Sequence, residues 1–125
     1  MNKVILSGNL GDDPRIGEYD GTPVANFSLA TNEFRRDRSG ERVTFTEWHD
    51  CSLWGRSVEA FMKYVGKGTK LLLEGRLRTK KSEKDGVTHY NTSIVVDRWE
   101  IQAGGLRPDA EAGDSGGETA DEEAA

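Results

Sequence analysis

The chain has a single cysteine, Cys51, which rules out an internal disulfide and any zinc site built on several thiolates. It has no apolar run long enough to cross a membrane as a helix. The opening MNKVILSGNL offers too short an apolar stretch before Gly8 and Asn9 for a secretory signal. A soluble, cytoplasmic protein is therefore expected. Carboxylates are scattered without the spacing of metal ligands, which leaves a metal-dependent nuclease without support. No metal and no cofactor are expected. Gly66-Lys67-Gly68-Thr69 lacks the GxxxxGK spacing of a phosphate loop and follows a helical stretch, so it reads as a helix end and turn. His49 and Cys51 share one strand face, yet no orienting acid or oxyanion donors accompany them. Catalysis is not expected.

A large excess of positive charge is also missing. The net charge is −5, from 17 basic and 22 acidic residues, but it is unevenly placed. From Leu106 onward there is one base, Arg107, and seven acids: Asp109, Glu111, Asp114, Glu118, Asp121, Glu122 and Glu123. Setting these aside leaves 16 basic and 15 acidic residues in 1–105, so the body is about +1 and the tail −6. The tail has no aromatic residue and no large aliphatic one beyond Leu106, and cannot build a core. Residues 1–105 are expected to form one domain with a modest core, followed by a disordered acidic tail over 106–125.

The body reads as strands. Residues 2–10 are apolar and β-branched, closed by the turn signal GDDP at 11–14. Residues 22–34 alternate, and RRDRSGER at 35–42 forms a charged hairpin loop with glycine near its tip. A third strand covers 43–54. Val58, Phe61, Met62 and Val65 then recur at helical spacing, with Ser57 placed to cap the helix and Gly66 and Gly68 to end it. Residues 69–80 form a fourth strand, with Leu71, Leu73 and Leu77 on one face and Glu74, Arg76, Arg78 and Lys80 on the other. A loop over 81–86 leads to a fifth strand over 87–102. This order suits an all-β, five-stranded Greek-key barrel of the OB type, plugged by one short helix between its third and fourth strands. Glycines 8, 55 and 75 mark candidate bends or bulges. Phe61, Met62 and Tyr64 read as plug or core residues, and Trp99 as packing at a barrel edge or interface.

Three aromatics fall on the wrong parity for a core. Alternate side chains of a strand point to opposite faces. Over 43–54, Phe45, Glu47, His49, Cys51 and Leu53 share one face; Thr44, Thr46, Trp48, Asp50, Ser52 and Trp54 share the other. Phe34 likewise keeps company with Asn26, Ser28 and Asn32. Large rings on a polar face need an apolar cover, and unpaired nucleobases supply one whatever their identity. A partner subunit is the competing cover.

The stretches NKVILSGNLGDDP, PVANFSLAT, TEWHDCSLWG and KGTKLLLEGRLRT resemble the bacterial and phage single-stranded DNA-binding protein family, in order and from Met1 to about Gln102. The resemblance implies an OB fold, a homotetramer, sequence-independent coating of single-stranded DNA during replication, recombination and repair, and no catalysis. By position it implies that Phe34, Trp48 and Trp54 stack bases. Arg35, Arg36, Arg38, Arg42, Arg56, Lys67, Arg76, Arg78, Lys80, Lys81 and Lys84 are the candidate phosphate contacts. Among them Arg76, Arg78 and Lys80 share one face.

Three departures stand out. Ser82 occupies a position where well-known members carry a further stacking tryptophan, and Asp50 one where they carry a base. Members commonly close their acidic tip with proline and phenylalanine, which dock on replication and repair proteins. TADEEAA lacks that anchor. Two alternatives stay open: an OB interaction module or RNA or primosome accessory whose aromatics serve assembly, and an enzyme, either a small nuclease or a Cys-dependent hydrolase.

Overall fold

A sheet whose strands alternate apolar and polar residues can hide its apolar face by curling onto itself. The computed structural model describes residues 1–104, in which this closure is complete. The elements are β1 (Val4–Leu10), β2 (Arg15–Tyr19), β3 (Thr22–Arg36), β4 (Arg42–Trp54), α1 (Ser57–Tyr64), β5 (Lys70–Lys84) and β6 (Val87–Ala103). β1 pairs antiparallel with β5, β5 with β6, and β4 with β3. β6 meets β4 in parallel through Cys51↔Ile94 and Ser52↔Val95. The ring closes where β3 returns to β1 at Asn9↔Ala30 and Leu10↔Leu29. The expected five-stranded OB barrel is present.

Its inner face holds Leu10, Phe27, Leu29, Leu53, Leu71, Leu73 and Ile94, all buried. α1 adds Val58, Phe61 and the following Val65 to the same core, as the spacing predicted. Phe61 is the plug: its ring centre lies 4.8 Å from that of Phe27 and 5.1 Å from that of Trp99, meeting Trp99 edge to face. Gly8 sits against the Ala30 carbonyl at the closure, and Gly75 against that of Val95, where no Cβ would fit. Both are thus required by close approach.

Several boundaries differ from the sequence expectation. Ser57 does not cap α1; Arg56 is the capping residue, without a side-chain cap bond, and Ser57 is buried in the first turn. Gly55, at φ +98°, turns the chain one residue early, and Val58 N–H bonds its carbonyl at 3.1 Å. The loop expected over 81–86 is a two-residue turn, Asp85-Gly86, with both φ positive. β5 and β6 therefore run on as a paired ribbon beyond the barrel. Leu77 shares the core parity but lies on that ribbon and is 50% exposed. Asp20-Gly21 makes the same kind of turn and creates β2, a strand absent from the five expected. Among the described strands β2 pairs with β3 alone, outside the ring.

Trp99 is another departure. Strict alternation puts it with Val95, but it is fully buried in the core with Ile94 and Val96. The register explains this: Gly75 faces Val96 while Glu74 faces Arg98, so Asp97 is an extra residue. A bulge of one residue reverses the phase of everything after it. The expectations for 106–125 concern residues outside those described.

Cys51 is buried, and burial, aided by the charge of Asp50, pushes its thiol up to about 12. Its Sγ–H points to the His49 carbonyl oxygen at 3.6 Å. Such a thiol is protonated at neutral pH, which removes the nucleophile a Cys-dependent hydrolase would need. Alkylating reagents should label Cys51 in urea but leave it intact in the folded chain; equal labelling rates would contradict its burial. Phe61→Ala should cost ~3–5 kcal/mol in urea unfolding, because Phe27 and Trp99 cannot both collapse into the space left.

Candidate nucleic-acid interface

The register between β3 and β4 decides which side chains share the barrel's outer face. Val24 lies opposite Trp54, Ala30 opposite Trp48 and Phe34 opposite Thr44. Directly opposed residues point the same way, so Phe34, Trp48 and Trp54 stand on one face. At strand spacing, Trp48 lies ~20 Å from Trp54 and ~13 Å from the level of Phe34. Trp48 is 61% and Phe34 56% exposed; Trp54 is half-buried.

Each ring is held differently. The Trp48 ring lies over Gly11, where any Cβ would enter the indole. Gly11 is itself tied down by its N–H to the Ser28 carbonyl at 3.2 Å. The Trp54 indole N–H donates to Ser52 Oγ at 3.2 Å, and the Tyr19 ring stands nearly perpendicular to the indole with centres 6.2 Å apart. Phe34 lies under the Arg42 guanidinium, 4.3 Å from the ring centre, a cation–π contact.

Beyond Trp54 the face opens into a groove of about 760 Å³. Trp54, Tyr19 and Arg15 line one part of it, and Arg76, Arg78 and Lys80 another. Among the described residues, Asp50 and Asp97 are its only lining carboxylates, so four basic side chains oppose two acids. The Arg76 guanidinium pairs with Asp97 at 3.5 Å. The local balance is positive although the whole chain is negative.

The other candidate cations are spread out. Arg36 lies on the Phe34 face of the β3–β4 arm, where its Nη1 donates to the Gly40 carbonyl at 2.9 Å. Arg35 points the opposite way, its guanidinium 5.0 Å from the Phe45 ring centre and 3.6 Å from Glu33. Lys84 shares the parity of Arg78 and Lys80, whereas Lys81 lies opposite Tyr90 on the reverse face of the ribbon. Ser82 faces His89. Arg56 stands at the start of α1. Lys67 sits in the turn after α1, with its backbone N–H bonded to Asp13 Oδ1 at 2.8 Å. The strand period of two accounts for the divergence of Arg35 and Lys81 from their neighbours.

The tip of the β3–β4 arm is ordered by Asp37. Its Oδ1 accepts from the Ser39 hydroxyl at 2.6 Å and from the Ser39 and Glu41 N–H groups at 2.9 Å. The Ser39 hydroxyl, then the Glu41 N–H, hold the carboxyl below its usual range. Arg38 and Arg42 thus emerge beside a defined turn. Arg15 and Tyr19 were missed in the sequence because RIGEY is short and mixed. The Asp-Gly pair after it was the signal that could have revealed the strand.

Among the described residues no group of three or more His, Cys, Asp or Glu side chains is placed to hold a metal ion. No helix there is long and apolar enough to cross a membrane.

Known structures share this architecture. The single-stranded DNA binding protein from Thermus aquaticus superposes with a TM-score of 0.74 at 26% identity, covering 85% of this chain. This chain spans 54% of that protein's length. The Plasmodium falciparum SSB, solved in complex with ssDNA, superposes with a TM-score of 0.72 at 32% identity, covering 86% of this chain and 96% of that one. Over residues 1–102 the sequence matches the family described as the Single-strand binding protein family, and the chain belongs to it.

Proposed function

We propose that this protein binds single-stranded DNA without sequence preference and keeps it unpaired for replication, recombination and repair. The observation that carries this is the set of three aromatics on one outer face, leading into a groove with four bases. Rings there contribute little to the core, and each base stacked on one is typically worth roughly 1–3 kcal/mol. Arg76, Arg78 and Lys80 meet phosphates along one edge, with release of counterions. The ssDNA in the P. falciparum relative supports the same ligand. Bases stack on Phe34, Trp48 and Trp54, while Arg35, Arg36, Arg56, Lys67, Lys81 and Lys84 supply further phosphate contacts as the strand winds round the subunit.

The same reading takes residues 1–105 as the binding domain and 106–125 as an acidic tail that touches no DNA. It takes the assembly as a homotetramer in the cytoplasm, associated with the nucleoid. The acidic stretch acts through charge, competing weakly with DNA for the basic faces.

Titration with oligo-dT should quench tryptophan emission, and the affinity should fall steeply with added salt. Unchanged emission with no complex at low salt would instead assign the aromatics to assembly. Trp54→Ala should weaken oligo-dT binding by roughly 5- to 150-fold, the range set by one stacked base, and leave the subunit number in light scattering unchanged. Dissociation into monomers would reassign Trp54 to an interface. Removing 106–125 should preserve or tighten binding, measured by anisotropy of a labelled oligo-dT; a large loss would show that the tail contacts the strand.

A further inference from the structure

β2 serves neither the barrel closure nor the core. Four of its five residues are exposed, and among the described strands its only sheet partner is β3. Its register nevertheless places three residues in line with the aromatic face. Arg15 lies opposite Asn26, Gly17 opposite Val24, and Tyr19 opposite Thr22. Val24 is in turn opposite Trp54, and Asn26 opposite Ser52. Arg15, Gly17 and Tyr19 therefore point the way Trp54 points, with Gly17 leaving a gap between the cation and the ring.

Tyr19 is 71% exposed, and Trp54 touches only its edge or face in a T-shaped pair, so a broad part of the phenol ring stays open to solvent. Both Arg15 and Tyr19 line the groove that holds Arg76, Arg78 and Lys80. A planar ring, a cation on the same face of the same strand and a cationic row in one groove match what a single strand offers: a base to stack and phosphates to neutralise.

We infer that β2 is a further nucleotide subsite, in which Tyr19 stacks a base of single-stranded DNA and Arg15 meets the neighbouring phosphate. The strand then passes from Trp54 over Tyr19 and across the groove to Arg76, Arg78 and Lys80. This rests on the proposed binding of single-stranded DNA. It supplies a platform in a chain that has serine at position 82.

The test compares the full chain with its Tyr19→Ala, Tyr19→Phe and Arg15→Ala variants. Affinities are measured by anisotropy for labelled oligo-dT and for an abasic strand of equal length. Tyr19→Ala should lower oligo-dT affinity by roughly 5- to 150-fold while sparing the abasic strand, so the ratio of the two falls. Partial unfolding lowers both affinities together and leaves that ratio alone. Tyr19→Phe keeps the ring and should keep the ratio. Arg15→Ala should weaken both strands and reduce the salt slope by about 1. An unchanged ratio in Tyr19→Ala overturns the subsite while the parent reading stands. Failure of the unaltered chain to bind oligo-dT overturns both.

Discussion

Closing a short sheet on itself divides each strand between a dry interior and a wet exterior, and the interior must be filled. Here the filling comes from Phe27, Phe61 and Trp99, three rings contributed by β3, α1 and β6. Packing them demands close backbone approach at the seams, which Gly8 and Gly75 allow. It also demands a one-residue bulge at Asp97, without which Trp99 would face solvent. Once the interior is full, aromatics of the opposite parity have no core to enter. Trp48 and Phe34 remain outside because the barrel has no place for them.

The outside is then shaped by two ribbons that outgrow the barrel. β3 and β4 continue as an arm to the turn ordered by Asp37, and β5 and β6 continue to Asp85-Gly86. Neither extension encloses a core, so its residues are free to be aromatic or basic. The same period of two that fills the barrel sorts them by side: Arg76, Arg78 and Lys80 toward the groove, Lys81 and Leu77 away from it. Small contacts then set each ring, from Gly11 beneath Trp48 to Arg42 above Phe34. Net charge is a poor guide to such a surface, because a groove with four bases and two acids coexists with a total of −5.

Much of the architecture was legible from alternation alone. Leu71 and Leu73 on one face, and Trp48 and Trp54 on the other, follow from counting residues, since a pleated strand leaves no other choice. The helix was legible from Val58, Phe61 and Val65. Alternation misled where the strand was irregular, at Trp99, and where the core ran out, at Leu77. β2 escaped because five mixed residues carry too little pattern, although its Asp-Gly turn was visible.

By itself the sequence determined the faces of the regular strands, the helix and the separation of a near-neutral body from an acidic stretch, since these depend only on local period and composition. Only the tertiary structure decided that Arg15 and Tyr19 join Trp54, Arg76, Arg78 and Lys80 around one groove. Those residues come from β2, β4 and β5, and their meeting depends on inter-strand register and on the curl of the sheet. Neither is written in the spacing of any single segment, because register is fixed by which strands pair and by each bulge between them.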